Sequence, residues 1–391
     1  MMSLTIKKDR TGPILGFHPW VFSHAIVSIP EGLKAGQPVK LLDEKGEFLA
    51  AGYFNSYSQI AVRIWGYDPK EVVGESFFAN RIKGAYESRK RLVETPHTNA
   101  YRLINGENDF LPGLIVDKYA DYLVVQFHTR GIDFWKNMII TALADILKPK
   151  GIYERSDLTF RRKDNIAEAK GLVYGVVPDT VFIKENGFSF LVDIINGQKT
   201  GFFLDQRDKR KAFMKYAGGK TVLNCFAYTG GFSVYALSGG AQRVANVDTS
   251  ESALNLAREN IKLNGFDTGR CEFICDDVKN YLAYTTETFD AVVLDPPAFI
   301  KDHRKKKEGI LGYKKINEMA IKILSEGGIL LTCSCSAHLS LNDFRYLLSE
   351  TGIKTKKPMR ILEIFTHGID HAQLLPFTEG EYLKCFILKL D

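Results

Sequence analysis

The hydrophobic rhythm of the chain changes about halfway along. Up to about residue 74, short apolar runs alternate with turns. Val39 to Asp43, Phe48 to Phe54 and Ile60 to Trp65 predict strands at spacings suited to a small barrel. Phe77 to Leu92 carries Phe78, Ile82, Ala85 and Tyr86 on one helical face. Strands follow at Tyr101–Ile104, Leu114–Asp117 and Tyr122–Phe127, then a helix from Trp135 to Leu147. Ile152–Arg155 and Val181–Ile183 are further strands. Phe190–Asp193 reads as a strand entering the last domain. From about residue 200, strands and helices alternate, the pattern of a parallel sheet with crossover helices. Its strands are Val222–Phe226, Val244–Val247, Phe273–Ile274, Ala291–Leu294 and Ile329–Thr332; Ser250 caps the second crossover helix. Ile361–Phe365 and Tyr382–Leu390 close the chain. The expected organisation is an all-β barrel over 1–74, a helix with a small α+β domain over 75–190, and an α/β domain over 191–391.

The chemistry-bearing residues follow the strands of that last domain, where α/β sheets bind ligands. Asn224-Cys225-Phe226-Ala227-Tyr228-Thr229-Gly230-Gly231 turns the first strand into a helix. Its glycines let backbone approach a ligand, and the helix start offers unpaired N–H groups. Asp248 ends the next strand, where a carboxylate accepts from ribose hydroxyls. Asp277, or its neighbour Asp276, ends the third and could accept from an adenine amine. Asp295-Pro296-Pro297 ends the fourth; two prolines fix a rigid extended backbone that can hold Asp295 against a base edge. Ala298 follows where an exocyclic-amine methylase carries a stacking aromatic. Cys333 and Cys335 end the fifth strand. A strand cysteine is more often packing than nucleophile. Beside Asp295, however, a thiolate suits one chemistry. The C5 carbon of a pyrimidine becomes nucleophilic once a thiolate has added at C6.

Composition adds limits. The 391 residues are 45% hydrophobic and 25% charged, as in an ordinary globular protein. No apolar run is long enough to cross a membrane, and Met1 to Arg10 lacks a signal-peptide core. Six cysteines in such a length are no disulfide framework, and their spacing fits no zinc site. A reducing cytoplasm and no metal are the expectations. The net charge of +6 is compatible with an anionic partner. The run His303-Arg304-Lys305-Lys306-Lys307 lies just after Asp295 and could hold a phosphate backbone.

These residues resemble a known family: the class I S-adenosylmethionine-dependent methyltransferases that make 5-methylcytosine in large-subunit ribosomal RNA and carry an N-terminal PUA domain. The resemblance spans nearly the whole chain. It rests on His18-Pro19-Trp20-Val21-Phe22, Asn105-Gly106-Glu107, Leu111 to Asp117, Gly151 to Asp157, Gly197 to Arg207, Gly312 to Asn317 and Glu381-Tyr382-Leu383-Lys384. It implies an N-terminal PUA-like barrel that docks RNA, a central α+β domain and a C-terminal Rossmann-like domain with a seven-stranded, mostly parallel sheet. The cofactor would meet Gln198, Phe202, Asn224, Phe226, Tyr228, Thr229, Gly230, Asp248, Asp276, Asp277 and Asp295. The family's Ser-Cys-Ser pattern implies Cys335 as nucleophile, with Asp295 on the target base. Pro296, Pro297, Tyr313, Lys314, Arg304, Lys305 and Lys306 would face RNA. The expected partners are 23S ribosomal RNA and, in a homodimer, a second copy of the chain. The chain departs from the family pattern at Gly16-Phe17-His18 and at Asp370-His371-Ala372, which leaves the role of His371 open. Two other functions compete: methylation of a guanine ring nitrogen without a thiol, and RNA binding by an assembly factor without catalysis.

Overall fold

The structure is a computed structural model, and it describes residues 1–157 and 161–391. The chain divides into two compact units. The first comprises Met1–Ile183, Val192–Leu204 and Ile369–Thr378; the second comprises Lys184–Leu191, Asp205–Gly368 and Glu379–Asp391.

The first unit holds two five-stranded sheets. Strands β1 (Met2–Thr5), β2 (Trp20–Phe22), β3 (Pro38–Leu42), β4 (Phe48–Phe54) and β5 (Ile60–Gly66) run in the order β1-β3-β4-β5-β2. Alternate residues Leu4, Val39, Leu41, Val62 and Ile64 fill its core. Gly52 is required there, because a Cβ would lie 2.4 Å from the Arg63 carbonyl oxygen. Strands β6 (Ala100–Asn105), β7 (Leu114–Tyr119), β8 (Tyr122–Phe127), β9 (Gly151–Ser156) and β10 (Ala169–Gly175) form the second sheet, in the order β10-β9-β8-β7-β6. The β8 and β9 strands are parallel, so a crossover is needed, and the helix Lys136–Leu147 supplies it. The amphipathic helix Glu75–Leu92 buries Phe77, Phe78, Ile82 and Ala85 as its spacing requires. Tyr53 and Trp65 of the first sheet share a core with Phe77, Phe78 and Leu111, so the two sheets are not separately packed.

The segment Phe190–Asp193 falls largely on a strand, whose residues up to Leu191 belong to the second unit, but outside the large sheet. Strand β12 (Phe188–Val192) pairs with β11 (Val181–Glu185) in a two-stranded hairpin. Side-chain amides take the place of a further strand. Asn260 Oδ1 accepts from Leu191 N at 2.7 Å, and Asn264 accepts from Ser189 N and donates to Ser189 O, both at 2.8 Å. The backbone groups are thereby satisfied without sheet extension.

The second unit is built on a seven-stranded sheet. Its strands are β13 (Thr221–Cys225), β14 (Arg243–Asp248), β15 (Cys271–Cys275), β16 (Phe289–Leu294), β17 (Leu324–Ser334), β18 (Met359–Phe365) and β19 (Lys384–Leu390). The order is β15-β14-β13-β16-β17-β19-β18; β13 to β17 are mutually parallel, and β19 runs antiparallel to both its neighbours. The inner strands are continuous apolar runs, as sheets covered on both faces require. Leu223, Val247, Val292, Leu330 and Phe386 pack against the helix residues Val278, Ile316, Ala320 and Leu347. A buried ion pair anchors the hairpin within this unit. Glu185, with no exposed surface, accepts from Arg210 Nε at 2.8 Å and Nη2 at 2.7 Å, and from the Tyr235 hydroxyl at 3.0 Å. A groove of about 540 Å³ between Leu341–Thr355 and strands β18 and β19 contains none of the candidate carboxylates.

Candidate active site

Parallel register brings the strand ends level. Cys225 lies opposite Val247 and Leu294, Asp248 opposite Cys275, and Leu294 opposite Thr332. The loops that follow therefore gather along one edge of the sheet.

The first of them is strained. Phe226, Tyr228 and Gly230 have φ of 58°, 46° and 76°. Left-handed backbone costs a residue with a side chain on the order of 1 kcal/mol or more, and persists where surroundings enforce it. Here Asp248 enforces it. Its Oδ2 accepts from Tyr228 N at 2.8 Å while its Oδ1 accepts from Ser250 N at 2.9 Å. At Gly230 a Cβ would lie 2.9 Å from the Ala257 Cβ, so only glycine lets the helix Gly231–Ser238 start there. Asn224 is buried inside the sheet and donates to Ser233 Oγ at 2.8 Å. Thr229 is buried, with no partner for its hydroxyl among the described residues.

The two acidic residues after β15 divide their work. Asp277 caps the helix Val278–Tyr284, accepting from Lys279 N at 2.8 Å and Asn280 N at 3.2 Å. Asp276 accepts from Asp277 N at 2.7 Å and from the Tyr284 hydroxyl at 3.0 Å. Capping thus accounts for one oxygen of Asp277.

The fourth and fifth strand ends meet. Asp295 Oδ1 accepts from Gln206 Nε2 at 2.8 Å. Gln206 is 2% exposed, and its own Oε1 has no partner among the described residues. Pro296 is buried and Pro297 exposed. The loop after them is tied down by Ser336, whose hydroxyl accepts from Ile300 N at 3.1 Å and bonds the Tyr313 hydroxyl at 2.9 Å. Tyr313 is completely buried beneath this loop, its ring 4.6 Å from that of Phe299. Its side chain supports the loop from below. Cys335 follows the last residue of β17. It is half-buried, with Sγ 3.7 Å from the Pro296 carbonyl oxygen. Cys333, two residues earlier, is sealed opposite Cys385, and burial holds its thiol well above the usual range.

Lys384 pairs with Ser334 across β17 and β19. Its Nζ donates to Ser336 O at 2.8 Å and Tyr382 O at 3.2 Å. Burial lowers this ammonium to about 8, an effect opposed by Cys335, Glu381 and Asp343. Neither Lys384 nor Gln206 has a chemical signature of its own in the sequence, because what each side chain meets is set by residues distant in the chain.

Gln198 and Phe202 belong to the first unit. Phe202 is buried there, and its N–H donates to the Tyr119 hydroxyl at 3.2 Å. Arg304 pairs with Asp302 at 2.8 Å, Lys306 with Asp343 at 3.0 Å and Lys314 with Glu350 at 2.5 Å. Lys305 is exposed. Among the described residues no cluster of His, Cys, Asp or Glu could hold a metal, and no helix is long and apolar enough to cross a membrane.

Residues 156–366 match a family described as S-adenosylmethionine-dependent methyltransferase, and residues 4–66 match a PUA-like domain. The Ribosomal RNA large subunit methyltransferase I of Aeromonas hydrophila is 42% identical, with 99% of each chain covered. That of Escherichia coli O139:H28 is 39% identical, again with 99% of each covered. Among solved structures, SMU.776 complexed with SAH superposes over 100% of both chains with a TM-score of 0.86 and 26% identity. The residues fit such a cofactor. Carboxylates at Asp248 and at Asp277 or Asp276 can accept from hydroxyl and amine donors, and the glycine-bearing turn leaves room for close approach at a helix start. The chain belongs to the S-adenosylmethionine-dependent methyltransferases, with a PUA-like domain near its N-terminus and S-adenosylmethionine as its cofactor.

Proposed function

We propose that this chain methylates C5 of a cytosine in large-subunit ribosomal RNA, through a covalent bond between Cys335 and C6 of the base. One observation carries the covalent reading: of the two cysteines at the end of β17, Cys335 is reachable beside the Asp295 loop while Cys333 is sealed. The full-length likeness to relatives named for ribosomal RNA supports the substrate class and, with it, a cytoplasmic place of action. When bound, S-adenosylmethionine supplies an electrophilic methyl group. Cys335 attacks C6, and the C5=C6 electron pair is displaced. A proton held between Asp295 and N3 neutralises the charge that develops there. The base must be unstacked for C5 and C6 to be reached. The barrel over 1–74 docks the RNA, the central domain over 75–190 follows it, and Arg304 and Lys305 meet phosphate.

Asp248 is expected to hold the ribose. Asp248→Ala should weaken S-adenosylmethionine binding about 10- to 100-fold by calorimetry. It removes two hydrogen bonds to charge, each worth about 1.5–3 kcal/mol, together with the support of the strained loop. Unchanged affinity would remove Asp248 from the cofactor site. The function is tested by mass spectrometry of 23S ribosomal RNA nucleosides from cells lacking this protein. Loss of one 5-methylcytosine is expected. Loss of a methylguanosine would replace the reading with ring-nitrogen methylation, and an unchanged profile would leave a binding protein.

A further inference from the structure

We propose that Lys384 is a positioning residue for Cys335, gripping the backbone carbonyl next to the sulfur and placing a buried ammonium near it so that the thiolate is the form that meets the pyrimidine. This rests on the covalent reading above and names the group that activates its sulfur.

The placement follows from the end of β17. Lys384 pairs with Ser334 and its Nζ donates to the Ser336 carbonyl at 2.8 Å, so it brackets the residue that carries the sulfur. Lys384 is 3% exposed. Buried charges are ordinarily paired with an opposite charge. Among the described residues, however, both hydrogen bonds of Lys384 go to neutral backbone carbonyls, of Ser336 and Tyr382, and no carboxylate forms an ion pair with it. An ammonium has three donors, so one remains. Cys335 is the foremost group whose negative charge would stabilise this cation, ahead of Glu381 and Asp343. The carbonyl that Lys384 grips belongs to Ser336, so the same contact fixes the backbone immediately after the sulfur.

Every element around the thiol contributes. From the helix Lys306–Lys322 comes Tyr313, a phenol raised by burial and by Cys335, whose proton stays in place and whose hydroxyl bonds Ser336. Asp295 and Lys209 act on the adjacent, sealed Cys333. Lys209 is itself tied to the Asp205 carbonyl oxygen at 2.7 Å. Among these groups Lys384 is the cation on which a charge at Cys335 acts.

A cation there serves both halves of the reaction. In the first, a sulfur lone pair forms the Sγ–C6 bond, and the C5=C6 pair becomes available at C5 to take the methyl carbon. The C–S pair stays with the cofactor's sulfur. In the second, a base removes the C5 proton, and the C–H pair restores C5=C6. The Sγ–C6 pair then returns to sulfur as thiolate. Negative charge is on Sγ at the start and at the end, and Lys384 faces it each time.

The test reads the thiol directly. The whole protein is alkylated with iodoacetamide across a pH series, and the rate at Cys335 is followed by peptide mass spectrometry. Exposed Cys275 provides an internal reference. In the wild type, the Cys335 midpoint should fall about one pH unit or more below the ordinary thiol value of about 8.5. Lys384→Met should raise it by a similar amount, cutting reactivity near neutral pH about tenfold, while Lys384→Arg should restore most of the shift. Cys275 should not move in either. A wild-type midpoint at the ordinary value overturns the proposal, even if Lys384→Met does not fold. So does an unchanged midpoint in a folded Lys384→Met protein. The covalent reading fails separately: methyl transfer by Cys335→Ala would end it whatever the alkylation profile shows.

Discussion

Cys335→Ala protein should bind S-adenosylmethionine with wild-type affinity and transfer no methyl group to RNA, a loss on the order of 10⁴-fold or more in single-turnover rate. The size of the effect comes from the substrate. Without a thiol adduct at C6, C5 of cytosine is a weak nucleophile, and positioning alone does not make it a strong one. The substitution should leave the fold intact. Cys335 follows the last paired residue of β17, is half-buried, and contributes one long contact to the Pro296 carbonyl. Cys333→Ala is the control, since that sulfur is sealed opposite Cys385. Its loss should lower stability slightly and leave the rate within severalfold. Turnover by Cys335→Ala at the wild-type rate would leave direct attack by a ring nitrogen as the better account.

Glu185→Ala should destabilise the second unit by about 3–5 kcal/mol. The carboxylate is completely buried, and both its oxygens accept from Arg210, whose side chain is itself 3% exposed. Removing it strands a buried guanidinium and deprives the Tyr235 hydroxyl of an acceptor. Burying charges is costly, so breaking the pair costs more than the pair contributes. The double substitution Glu185→Leu, Arg210→Met should therefore recover most of the loss. Thermal unfolding with and without S-adenosylmethionine reads this out, because the transition that the cofactor raises is that of the unit that binds it. A shift of less than about 1 kcal/mol for Glu185→Ala would show that water replaces the lost partner.

What the sequence disclosed of this molecule depended on how local each signal was. Apolar runs followed by glycine, aspartate or proline marked the strand ends of the second unit, because the turn residues and the strand they terminate are neighbours in the chain. Parallel register then did what spacing alone does not: it brought Asp248, Asp276 and Asp295 to the same edge. Long-range choices were hidden. Nothing in Phe188–Val192 specifies a hairpin over a place in the large sheet, because its backbone is satisfied by Asn260 and Asn264 some seventy residues later. The pair Glu185–Arg210 is silent for the same reason. The period-two rule treated Cys333 and Cys335 alike; their difference arises because β17 stops between them. Tyr313 reads as a polar aromatic near a basic run, yet its hydroxyl is consumed by Ser336 beneath the loop.

The antiparallel β17–β19 pairing carries a demand on chain length. It sets Cys333 against Cys385 and Ser334 against Lys384. A strand advances about 3.3 Å per residue and turns its side chains over at each step. Inserting one residue between Ile329 and Ser334 would shift the register by one, move the sulfur by about that distance and set Cys385 and Lys384 against different partners. The same insertion at Glu326–Gly327, before β17 meets β19, could be absorbed as a bulge with the downstream pairing unchanged. Tolerance to insertion should thus change abruptly within a single strand.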